Sequence, residues 1–179
     1  GDWLASRSFG AFGSTTGLTI YANGLVQNTV TFTSTDGKES LTIPAGTIAK
    51  NANGTALSSL TAAVNPNPPA APTGKSILVA LDLGPAGATF NPFITLTFTY
   101  NLAELATKNI SEDNLVISVY DTSATPPAWV FYAPPQITID KINHKVIYNA
   151  THFTTFALTG SVTPPVTPVT PPVTPVTPP

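Results

Sequence analysis

Residues Ile94 to Tyr100, ITLTFTY, constrain this chain more than any other stretch. Ile94, Leu96, Phe98 and Tyr100 alternate with Thr95, Thr97 and Thr99, and an extended strand is the conformation that puts side chains two apart on one face. The run predicts a half-buried strand, apolar toward a core and threonine-lined on the other side. Gly84-Pro85, Gly87 and Asn91-Pro92 stand just before it. Proline removes a donor and glycine opens positive φ, so turns are expected to frame the strand at that end.

The same grammar recurs along the chain. Leu18 to Ala22 and Thr29 to Thr33 are β-rich runs around Asn23-Gly24, a hairpin-type turn pair, and Asp36-Gly37 leads into Ser40 to Ile43. Leu57 to Val64 and Ser76 to Leu83 are further strands, separated by Asn65 to Pro72, whose prolines cannot join a sheet interior. Leu115 to Tyr120, Ala128 to Tyr132, Gln136 to Asp140, Lys145 to Asn149 and Phe153 to Leu158 complete the series. One helical turn is expected, Leu102 to Ala106, with Asn101 as its cap. Short strands at roughly 8 to 12-residue spacing with turn clusters between them predict an all-β, antiparallel, Ig-like β-sandwich over residues 17–160.

Both ends read differently. Residues 1–16, GDWLASRSFGAFGSTT, have no sustained period, so they are read as an extended N-terminal arm. Its aromatics prefer burial, which makes Trp3, Leu4, Phe9 and Phe12 candidate assembly contacts; packing as a first strand on its own domain is the other reading. Residues 161–179 carry a VTPPVTP repeat. Proline fixes φ and removes donors there, so the segment is expected to be a polyproline II tail reaching on the order of 55 Å, serving as a spacer or a docking strip.

Composition narrows the function. Of 179 residues only 9% are charged, the formal net charge is -2, and Arg7 is the one arginine. Nothing there neutralises a row of phosphates, so nucleic acid and anionic membranes are not expected partners. No apolar run approaches the roughly 20 residues that span a bilayer, and no charged-then-apolar leader is read; an exported form would be mature or excised. Cysteine is absent, which excludes disulfides and thiolate sites. Asn53, Asn109 and Asn149 stand in Asn-x-Ser/Thr acceptor sequences.

No residue set announces a reaction, and no catalytic, metal or cofactor site is expected. His144 lies in a turn between lysines, and His152 precedes the last strand without companions for a zinc site. Glu112 and Asp113, like Asp36 and Glu39, are explained by turns, and a glycosidase would need two carboxyls facing one cleft. Trp129 and Phe131 share a strand face and are candidates for stacking on a glycan, with core packing as the commoner role of such rings.

The blocks TDGKESLTIPAGTIAKNANGTALSSL, LDLGPAGATFNPFITLTFTYNLAEL, SEDNLVISVYD, Trp129 and THFTTFAL, over Thr35 to Leu158, resemble a β-sandwich module recurring in secreted and surface-anchored proteins of archaea and bacteria. The IP-x-G and GP turns are also similar to the sandwich module of ankyrins and netrin receptors. The resemblance implies an extracellular or cell-surface, non-catalytic sandwich. A self-associating structural subunit of a filament, layer or stalk is therefore expected, with arm or tail adding a strand to a neighbour. The alternative is an adhesion module that binds polysaccharide or the cell envelope.

Overall fold

The computed structural model describes residues 4–164; Trp3, the Leu4 side chain and the tail from Pro165 lie outside the described residues. The elements in chain order are β1 (Leu4–Ala11), β2 (Ser14–Tyr21), β3 (Val30–Thr33), β4 (Glu39–Ile43), β5 (Ile48–Lys50), β6 (Thr61–Val64) and β7 (Lys75–Gly84). They continue with β8 (Thr89–Thr99), α1 (Leu102–Thr107), β9 (Ile110–Asp121), β10 (Ala128–Tyr132), β11 (Ile137–Asp140), β12 (Lys145–His152) and β13 (Thr155–Val162). One sheet runs β10-β9-β13-β7-β6 and the other β11-β12-β8-β4-β3, with β5 pairing the start of β8. All pairings are antiparallel, and the two sheets pack face to face as a β-sandwich.

Strand β8 is the centre of its sheet, as its alternation predicts. Ile94, Leu96 and Phe98 are fully buried, whereas Thr95, Thr97 and Thr99 are half-buried on the outward face. The strand nevertheless starts earlier than the prolines suggest and runs through Pro92. At that point β8 changes partner from β5 to β4, and its register with β12 slips between Ala150 and His152. A residue without an N–H fits where the ladder is already interrupted. Strand β9 likewise begins at Ile110, so Ser111 to Asn114 lie within a strand that they were expected only to precede.

Asn101 caps α1 as expected: its Oδ1 accepts from the Ala103 N–H at 2.7 Å, while Leu105 turns into the core. Leu57 to Leu60 form no strand, and β6 is confined to Thr61–Val64.

The amino-terminal segment corrects the arm expectation. β1 and β2 pair with each other as a hairpin, and Phe9, Ala11, Phe12, Leu18 and Ile20 are buried in the main core. Phe9 and Phe12 therefore face their own domain, and the boundary drawn after residue 16 falls inside β2. Phe12 and Gly13 form the two-residue turn with φ of 52° and 76°, both in the left-handed region. Such a turn matches the strand twist. Phenylalanine is no turn signal, but its ring is buried and its N–H donates to the Ala62 carbonyl at 2.7 Å.

Asn23-Gly24 still reverses the chain without joining the two runs predicted around it. β2 pairs with β1, β3 pairs with β4, and Ile20 meets Val26 in an isolated bridge. The last strand ends at Val162, two residues into the segment assigned to the tail, where the Val162 N–H donates to Gly74 O and the Thr163 N–H to Asn109 O, both at 2.8 Å.

Candidate functional site

A cleft of about 610 Å³ lies where the ends of β9, β10 and β12 meet the turn after β7. Val119 and Phe153 line its apolar part with Tyr132 beside them, Asp121, Ser123, His152 and Thr154 form a polar rim, and Tyr120 borders it while its ring packs on Trp129. Its volume falls in the range that takes a small ligand. The Asp121 carboxylate accepts from the Ser123 hydroxyl at 2.6 Å and the Ser123 amide at 2.9 Å. These bonds hold it below the ordinary carboxylate range, and the nearby His152 adds a smaller effect in the same direction.

The Ser123 proton is thus directed at a carboxylate, an arrangement unlike the base-activated serine of a hydrolase. Thr154 Oγ1 is likewise committed, donating to the Tyr120 carbonyl at 2.9 Å. What the cleft offers is the Tyr132 ring beside hydroxyl and carboxylate groups already held by hydrogen bonds, with the His152 imidazole at the rim.

The aromatic pair singled out in the sequence lies on the sheet face turned away from the main core. Trp129 packs with Ala80 and Ala157, and Tyr120 meets it edge-on with ring centroids 5.0 Å apart. Its exposure is only 8%, and its indole N–H donates to Pro69 O at 3.2 Å. The proline-rich connection from Asn65 to Pro72 therefore straps over it. Phe131 is half-buried with the Lys75 ammonium 4.5 Å from its ring centre. Neither ring offers an open stacking face. Ser118 and Thr159 hydroxyls are buried without hydrogen-bond partners; their register with Ala157 and Phe131 puts Ser118, and strand alternation puts Thr159, on this same covered face.

Glu112 and Asp113 take separate partners. Glu112 accepts from the Tyr100 hydroxyl, which burial and this bond hold protonated well above the usual phenol range. Asp113 pairs with Lys141 at the surface. His144 lies against Tyr100, centroids 5.5 Å apart, with φ of 55°. Asp140 caps the same turn through Asn143. Among the described residues no three of His, Asp and Glu gather as metal ligands, and no helix is long and apolar enough to cross a membrane.

Glu39 is the surprise. It was explained by a turn, yet it is 4% exposed at the head of β4. Alternation through Glu39, Leu41 and Ile43 on one face was the signal that could have found it. The Ser34 hydroxyl lies 2.7 Å from both Glu39 Oε2 and Asp36 Oδ1 and has one proton to give. Burial pushes the Glu39 carboxyl up, while the Lys38 amide and then the Ser34 hydroxyl lower Asp36.

The three acceptor asparagines are exposed. Asn53 closes a turn onto Thr55, Asn109 has φ of 56° after α1, and Asn149 accepts from Thr95 Oγ1 at 3.0 Å on β12.

The fold and its surfaces define an antiparallel β-sandwich closed at one side by a separate hairpin. Comparison with known proteins finds no matching family model, curated protein or solved structure.

Proposed function

We propose that this chain is a non-catalytic structural module of an extracellular or cell-surface assembly, self-associating through added strands. The observation that carries this reading is the pairing of uncharged, hydroxyl-lined strand faces with open sheet edges. On the outward face of the β8 sheet, Thr31 and Thr42 hydroxyls meet at 3.0 Å and Thr95 bonds Asn149 at the same distance. Among the described residues β10 and β11 are each paired along one edge only, leaving backbone donors and acceptors that a neighbouring strand can satisfy. A proline- and threonine-rich tail of low charge suits a spacer in such an assembly. Sedimentation of the purified chain across a wide concentration range, with electron microscopy of the concentrated sample, tests this. Ordered oligomers growing with concentration are expected, and a monomer throughout overturns it.

The Tyr132 ring and the polar rim of the 610 Å³ cleft favour a second reading, an adhesion module that binds a polysaccharide. A glycan panel should then give binding that Asp121→Ala abolishes and Trp129→Phe leaves intact, because Trp129 lies under the strap. Binding lost only with Trp129 would contradict this placement.

A further inference from the structure

We infer that the β1–β2 hairpin is an exchangeable element, seating in the slot between β3 and β6 of its own chain or of a second copy, an inference that rests on the self-associating reading above. Among the described residues the hairpin is a two-stranded sheet of its own, joined by no ladder to either sheet of the sandwich. Its ties to the body are few. The Phe12 N–H donates to Ala62 O at 2.7 Å and Arg7 Nη1 to Leu57 O at 3.3 Å. On the β2 side, the Gln27 N–H donates to Thr19 O at 3.0 Å and the Tyr21 N–H to Leu25 O at 2.8 Å.

What holds it is burial of Phe9, Phe12, Leu18 and Ile20 within the main core. Every surface that receives these side chains exists identically on a second copy. An isolated two-stranded hairpin is marginal in water, and an empty slot would expose the core, so hairpin and slot each require an occupant. Exchange satisfies both with the contacts of the closed chain.

The connection is short and bent. It passes through Ala22, Asn23 and Gly24, the Gly24 N–H donating to Tyr21 O at 2.9 Å and the Leu25 N–H to Asn23 Oδ1 at 3.1 Å. Gly24 has φ of +92°, and a Cβ there would lie 2.6 Å from Ala49 O, so the closed turn requires glycine. Straightening this turn releases the hairpin, and the bonds between residues 19–21 and 25–27 re-form between chains. Reciprocal exchange closes a dimer, and one-way exchange builds an open chain of subunits.

The chain has no cysteine, so introduced thiols are unambiguous. The Ile20–Val26 bridge puts Thr19 opposite Gln27, one on the hairpin and one on the body. The full chain carrying Thr19→Cys and Gln27→Cys, oxidised while dilute and monomeric, should lose assembly on concentration and recover it with reductant; the reduced form is the folding control. Mixed chains with differently sized tags, one Thr19→Cys and the other Gln27→Cys, should give mixed disulfide dimers in several-fold excess over dimers of either variant alone. Assembly of the locked monomer at the unmodified level, or no such excess, overturns exchange while leaving self-association through the edges of β10 or β11 standing. A wild-type chain that stays monomeric overturns the self-associating reading and exchange with it.

Discussion

The hairpin β1–β2 and the strand β8 bury comparable side chains, but they are held in opposite ways. β8 is laddered on both sides, to β12 along one edge and to β5 and β4 along the other. The hairpin meets the body through side chains and a handful of backbone bonds. Removing β8 would divide a sheet, whereas removing the hairpin uncovers a core that another hairpin can cover. Burial is non-directional and transferable between copies; a ladder fixed on two edges is neither.

Truncating the centre of β8 should have the largest effect. Phe98→Ala is expected to cost about 4 kcal/mol in chemical denaturation, with loss of the whole cooperative transition, because the fully buried ring leaves a cavity between two laddered strands. Phe9→Ala should cost less, about 3 kcal/mol, because the hairpin has a freer edge to relax into the cavity. Amide exchange sharpens this contrast: protection should fall throughout β1 and β2 while β8 keeps the global value. Equal loss of protection in both regions would erase the distinction.

Trp129→Phe keeps one aromatic ring at the position but removes the indole N–H that Pro69 O accepts. A cost of about 1 kcal/mol is expected, with faster proteolysis between Asn65 and Pro72 and unchanged exchange in β8. Glu39→Gln should give the smallest effect, a few tenths to about 1 kcal/mol, and its sign depends on pH. The folded-state pKa of Glu39 is raised, so its contribution is complete below the ordinary value of 4.5 and is lost as pH rises through the folded value. The variant should therefore match the parent in acid and gain on it toward neutral pH. A thermal scan at several pH values reads this, and a constant offset between the two proteins would contradict a Glu39 carboxyl raised by burial.

Much of the fold was legible locally. The alternation in Ile94 to Tyr100, the bounds Ala128–Tyr132 of β10 and the Asn101 cap all follow from spacing and side-chain chemistry within a few residues. The site was less legible. His152 stood out only as a titratable residue without companions, and its approach to Asp121 and Ser123 joins the end of β12 to the end of β9 across the sandwich opening. Trp129 and Phe131 were placed on one face by alternation, but the strap that covers the Trp129 ring comes from a connection 60 residues away.

Periodicity and turn chemistry in this sequence determined that the chain forms short antiparallel strands with one capped helical turn, because side-chain direction repeats every two residues in any strand. The tertiary structure alone decided that residues 4–21 close their own core as a hairpin, that Asn23-Gly24 joins no ladder, and that Glu39 lies inside. Those outcomes depend on which edges and faces meet across the whole chain, and an apolar side chain carries no record of the surface that will cover it.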